Sequence, residues 1–265
     1  MVDLFLKALT AKKQKSKFDP NYALICANLS KQAYSTPEDQ KTFLAKYGFT
    51  EITSFVQDAS EAFACCYGGD LYIAIAGTNF TSIKDIMNDI DIGWKREGVG
   101  EVHDGYQDHL NLIWSNIKTH INNTPNKQVI ITGHSLGGGV GQIVNYRLPA
   151  SMGYFFGSTR AVDADIQQYN KSLVYQIIHR YDIVPQLPLA IMGYRLLGNV
   201  FVIENDTVTV KLPSWHDTLY SIVSTLLYYG MMVYTKSFTN KSKLDNRVLS
   251  SHTIVSYISD LERLV

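Results

Sequence analysis

Apolar residues recur along this chain in two rhythms, one helical and one extended. Over residues 21–34, Ala23, Leu24, Ala27 and Ala33 are among the apolar positions of a predicted helix. Pro37 with the acidic pair Glu38-Asp39 then predicts the first turn of a second helix, running to about Tyr47. Residues 51–56 and 61–67 suit strands, and Gly68-Gly69-Asp70 is a hairpin turn signal. The run 71–76 is continuously apolar, as expected of a strand covered on both faces. Residues 82–90 predict a short helix. A longer one is predicted within 105–120, where Leu110, Ile113, Trp114 and Ile117 fall three and four apart. A buried-type strand over 128–132 leads into a glycine-rich run, 133–141. A further strand covers 173–179, a late hairpin pairs 200–204 with 207–211, and an amphipathic helix covers 251–264. Strands alternating with helices predict an α/β fold whose mainly parallel central sheet is flanked by helices.

Composition narrows the function. The 265 residues suit one domain over 1–265 with a sizeable core. Lys and Arg number 24, equal to Asp and Glu, so no global field draws the protein to nucleic acid or an anionic membrane. The 3 cysteines (Cys26, Cys65 and Cys66) have neither zinc nor Cys-x-x-Cys spacing and are expected to be reduced and buried. Residues 2–9 are largely apolar but short. Lys12, Lys13, Lys15 and Lys17 follow them in place of a small-residue cleavage site. Residues 1–20 are therefore expected to be a basic N-terminal arm without a signal peptide, in a cytoplasmic or non-classically exported protein. Residues 218–235 carry no charge and predict a buried or interfacial helix within an insertion over 213–246.

Gly133-His134-Ser135-Leu136-Gly137 follows the apolar strand Val129-Ile130-Ile131 and precedes a helix start, which is the setting of a G-x-S-x-G elbow. Small residues two before and two after the serine relieve crowding on a tight strand-to-helix turn, and the helix N-terminus favours negative charge beside the hydroxyl. Ser135 is thus the candidate nucleophile. A serine nucleophile needs a base, and the base an orienting carboxylate, in the chain order Ser, Asp/Glu, His. Asp182, just past the strand ending near His179 and ahead of Pro185 and Pro188, is the best acid. Asp163 and Asp165 fall at a predicted helix start and rank lower. Both His216 and His252 follow Asp182, and spacing alone does not separate them. His103, His109, His120, His134 and His179 precede it and are read as having no catalytic role.

With these residues in order, the chain resembles the class 3 lipase family of α/β-hydrolases over roughly residues 21–262. Ile75-Ala76-Gly77-Thr78 is similar to its F-R-G-[ST] strand end, and residues 82–90 to its short lid helix. Val102-His103-Asp104-Gly105-Tyr106 resembles V-H-x-G-F. Phe156-Gly157-Ser158-Thr159-Arg160 resembles F-G-S-P-R, and residues 182–188 resemble D-I-V-P-x-L-P. The resemblance implies an α/β-hydrolase fold and a serine carboxylic ester hydrolase acting on acylglycerol or other lipid esters without metal or organic cofactor. It implies Ser135 as nucleophile, Asp182 as acid and His252, with Tyr257 five residues on, as base. The backbone N–H groups of Thr78 and Leu136 would form the oxyanion hole. Peripheral membrane association would run through 218–235 or the lid at 82–90. Phospholipase A1-type activity, or a hydrolase-shaped interaction module without turnover, are the alternatives. Ala76 in place of arginine, Thr159 in place of proline, and the unaligned stretch 211–246 depart from the pattern.

Overall fold

The structure, a computed structural model, describes residues 3–11, 18–77, 92–149, 151–180, 182–204, 207–211 and 250–265. The strands, in chain order, are β1 (Thr50–Gln57), β2 (Ser60–Tyr67), β3 (Asp70–Ile75), β4 (Trp94–Glu97), β5 (Gly100–His103), β6 (Gln128–His134), β7 (Met152–Phe156), β8 (Leu173–His179), β9 (Asn199–Glu204) and β10 (Thr207–Lys211). Among the described residues, one sheet has the order β1-β2-β3-β6-β7-β8-β9-β10, and β4 pairs separately with β5. From β3 through β9 its pairings are parallel; β1-β2-β3 and β9-β10 are antiparallel edges. The C-terminal ends of β6, β7 and β8 therefore share one edge, where such sheets place their sites.

Side-chain alternation explains why both sheet faces are covered. Tyr72, Ala74, Ile130, Tyr154 and Phe156 face one way, into the layer of α1 (Leu4–Thr10), α2 (Pro20–Gln32) and the closing helix. Their neighbours Leu71, Ile73, Ile131 and Phe155 face the other way, against the two helices of the opposite layer. The remaining helices, in chain order, are α3 (Pro37–Lys46), α4 (Asp104–Asn123), α5 (Leu136–Arg147), α6 (Ala164–Tyr169) and α7 (Ile254–Glu262), and it is α4 and α5 that supply this opposite layer. Helix starts are capped locally. Asp19 accepts from Asn21 N at 2.8 Å, Asp163 from Ile166 N at 2.8 Å and Thr253 from Ser256 N at 3.3 Å.

Three differences from the sequence reading stand out. Residues 4–10, expected in a basic arm, form α1, with Phe5, Ala8 and Leu9 buried in the core and Phe5 edge-on to Tyr47 at 4.6 Å. The lysines that suggested an arm lie mainly beyond them, and positions 12–17 fall outside the described residues. Strand β7 was not predicted. The closing helix begins at Ile254, later than expected, so that His252 precedes its cap Thr253. Helix 82–90, the insertion 213–246 with its uncharged segment 218–235, Thr78 and His216 lie outside the described residues. Among the described residues no helix is long and apolar enough to cross a membrane.

If α1 belongs to the core, Phe5→Ala should lower unfolding free energy by about 3 kcal/mol, the usual cost of emptying an aromatic site. Urea denaturation checks this. A change below about 0.5 kcal/mol, as for a solvated arm, would contradict it.

Candidate active site

One residue joins β6 to α5. Ser135 has φ 59° and ψ −129°, a conformation unfavourable for a side chain by about 1–3 kcal/mol. Hydrogen bonds hold it there. Its N–H donates to the Phe156 carbonyl at 3.0 Å, and its own carbonyl accepts from Gly138 N at 3.1 Å. The flanking glycines serve close approach. A Cβ on Gly133 would sit 2.5 Å from the Gly137 carbonyl, and one on Gly137 would sit 2.7 Å from Gly77 N. A serine preceding a helix usually turns its hydroxyl back to cap it. Ser135 makes no such bond; its Oγ lies 2.9 Å from His252 Nε2.

His252 in turn places Nδ1 2.9 Å from Asp182 Oδ2. A carboxylate only accepts, so Nδ1 carries the proton and Nε2 presents its lone pair to the serine hydroxyl. Asp182 is otherwise saturated. Oδ2 also accepts from the Tyr257 hydroxyl at 2.7 Å, and Oδ1 accepts from Val184 N at 2.9 Å. Gly157, with φ +51°, leaves room for this junction: a Cβ there would lie 2.6 Å from Asp182 Oδ2 and 3.0 Å from His252 Nδ1. The three residues singled out as nucleophile, acid and base thus meet, although 117 positions separate Ser135 from His252. All three are buried.

Tyr257, and two histidines read from the sequence as having no catalytic role, surround them. Burial, and then the Asp182 charge, pushes the Tyr257 hydroxyl well above the usual phenol range. It therefore stays protonated and keeps donating. Its ring stacks on His179 at 3.8 Å, and its oxygen accepts from His179 N. The His179 Nδ1 donates to the Ser251 carbonyl at 2.7 Å. Asp260 Oδ2 lies 3.0 Å from Nε2 without hydrogen-bond alignment. The His134 Nε2 lies 2.6 Å from the His252 carbonyl. Two successive carbonyls on the segment carrying His252 are therefore gripped by imidazoles from β6 and β8.

Comparisons with known proteins bear on this fold. Residues 72–192 match the family model described as Lipase (class 3). This match covers somewhat less than half of the chain. Among solved structures, the Rhizomucor miehei lipase propeptide complex, in a deletion mutant, is similar at 20% identity and a TM-score of 0.64, covering 77% of this chain and 72% of that one. The lipase of Rhizopus microsporus var. chinensis is similar at 19% and 0.58, covering 79% and 78%. A triacylglycerol lipase whose catalytic centre is described as a serine protease triad is similar at 20% and 0.57, covering 71% and 80%. At these identities the likeness shows the α/β-hydrolase fold. No functionally curated protein matches the chain in sequence.

Within this fold, the motif run 156–160 is tied to the Asp182 loop. The Arg160 guanidinium donates to the carbonyls of Gln186 and Pro188 and to Gln186 Oε1, fixing the loop that carries the acid. Leu136 opens α5, so its N–H is among those with no intrahelical acceptor and is available to an oxyanion. Thr78, its expected partner, is outside the described residues. Among the described residues no group of three or more His, Cys, Asp or Glu could hold a metal ion.

Burial, and then the nearby His252, holds the His134 ring well below its ordinary pKa of 6.5. The unfolded chain takes up this proton as pH falls below about 6.5, while the folded chain resists it. The stability linked to His134 is therefore full above that pH and declines below it. Urea midpoints should fall between pH 7.5 and pH 5, and by less in His134→Gln. Equal falls in both proteins would contradict the assignment.

Proposed function

We propose that Ser135, His252 and Asp182 form a catalytic triad that hydrolyses acylglycerol or other lipid esters through an acyl-enzyme. The observation that carries this reading is the continuous line from Ser135 Oγ through His252 to Asp182, with both hydrogen bonds at 2.9 Å. Ser135 Oγ attacks the ester carbonyl as His252 Nε2 takes its proton. Asp182 holds the ring in the required tautomer and stabilises the imidazolium. The negative charge on the carbonyl oxygen is met by the N–H groups of Leu136 and Thr78, an arrangement typically worth about 3–4 kcal/mol per donor. His252 then gives its proton to the leaving alcohol. Water, activated by the same nitrogen, attacks the acyl-enzyme, releasing the fatty acid and restoring Ser135. No cofactor enters these steps. A lipid ester as substrate is supported by the family match and by the triacylglycerol lipase among the similar structures.

Hydrolysis of a short-chain nitrophenyl ester tests the reading. Wild type should turn over, and Ser135→Ala, with an unchanged circular dichroism spectrum, should lose about 10³-fold or more in kcat. Equal activity in the two proteins would remove Ser135 as nucleophile. No turnover by wild type on this ester, or on triacylglycerol, monoacylglycerol and phospholipid substrates, would favour an interaction module.

A further inference from the structure

Tyr34 sits just past the end of α2, on a different layer from the elbow, yet its hydroxyl reaches the site. Gly77, the residue before Thr78, packs closely against that oxygen. The contact is close: a Cβ added to Gly77 would lie 2.5 Å from Tyr34 Oη and 2.9 Å from the His134 carbonyl. On its other side, Tyr34 Oη is 3.0 Å from His134 Nδ1 and 3.3 Å from the His134 carbonyl. The protons along this line can be assigned. The His252 carbonyl only accepts, so His134 Nε2, at 2.6 Å from it, carries the ring proton. The deep burial that disfavours a charged His134 ring leaves Nδ1 as the acceptor, which Tyr34 O–H fills. Burial likewise pushes the Tyr34 hydroxyl above its usual range, so it stays a donor.

We propose that Tyr34 and His134 are positioning residues. A directed hydrogen-bond chain runs from Tyr34 Oη–H through the His134 ring to the His252 carbonyl, and the same Tyr34 oxygen packs against Gly77. It sets the catalytic base and the start of the oxyanion loop at a fixed distance from Ser135. The inference rests on the triad reading above. Its logic is geometric. His252 is carried by the segment just before α7, and the pull of Asp182 and Ser135 acts only on the ring. The backbone under that ring is held by the His134 donor, which issues from the residue adjacent to the nucleophile. A movement of the elbow is thereby transmitted to the base and to Gly77 together, keeping attack and charge stabilisation in register. Hydrogen bonds in series polarise one another, so removing one link weakens the rest.

The test uses the full chain and a nitrophenyl ester, with kcat expressed per serine titrated by a fluorophosphonate. Tyr34→Phe deletes one oxygen. It should lower kcat about tenfold with KM changed less than twofold. His134→Leu, which removes both ring partners, should lower kcat about 100-fold. His134→Gln can still donate to the His252 carbonyl and accept from Tyr34, and should recover to within about fivefold of wild type. Tyr34→Phe combined with His134→Leu should be no slower than His134→Leu alone, since the chain acts as one unit. Values of kcat within twofold of wild type in both Tyr34→Phe and His134→Leu would overturn the proposal, as would strictly multiplicative losses in the double variant. If His134→Leu does not fold, Tyr34→Phe and His134→Gln decide the matter by the same limits. An active Ser135→Ala would instead bring down the triad reading beneath it, so the two failures are distinguishable.

Discussion

Ser135 holds a left-handed backbone that a side chain adopts only under constraint, and the neighbouring structure supplies that constraint. Because Gly133 and Gly137 lack side chains, the end of β6, the first turn of α5 and the end of β3 come closer than Cβ atoms would permit. The strained turn spends the serine's backbone on connecting strand to helix and leaves its hydroxyl uncommitted to capping. A hydroxyl at a helix N-terminus that faces an imidazole instead of capping the helix is suited to acyl transfer.

The sheet then does the rest by register. Parallel pairing aligns the ends of β6, β7 and β8, so Ser135, Gly157 and the Asp182 loop arrive at one edge. Gly157 admits the carboxylate and imidazole into a space that a methyl group would fill. Tyr257 and Val184 N complete the acceptor capacity of Asp182, which matters because a buried carboxylate lacking partners is costly. The same economy appears on the base. Its ring is fixed by Asp182 and Ser135, and its backbone by His134, with His179 gripping the preceding carbonyl.

Ser135 and Asp182, which the structure joins through His252, could be singled out in the sequence by local rules. Glycines at fixed offsets betray the elbow, and an aspartate after a buried strand and before two prolines betrays the acid's loop. His252 was separated from His216 only by resemblance, since no local rule fixes which late histidine returns to the sheet edge. Tyr34, His134 and His179 were not legible at all. Their partners lie 70 to 120 positions away, and a histidine ahead of the acid breaks the expected order. Helix α1 escaped for a different reason. Seven residues give too short a period to distinguish from an apolar stretch, and the lysines after it pointed to a solvated arm. Strand β7 is five residues long with Gly153 inside it, too little for alternation to show. Its burial on both faces, between β6 and β8, is a property of the sheet rather than of the segment.

The central claim is that Ser135 alone is the activated nucleophile, and covalent trapping addresses it most directly. A nitrophenyl alkylphosphonate, incubated with the folded protein and followed by peptide mass spectrometry, should give one adduct per chain on the peptide holding Ser135. The adduct should disappear in His252→Ala, which leaves the serine without its base. Absence of any adduct on wild type, or an adduct on a different serine, would contradict the account.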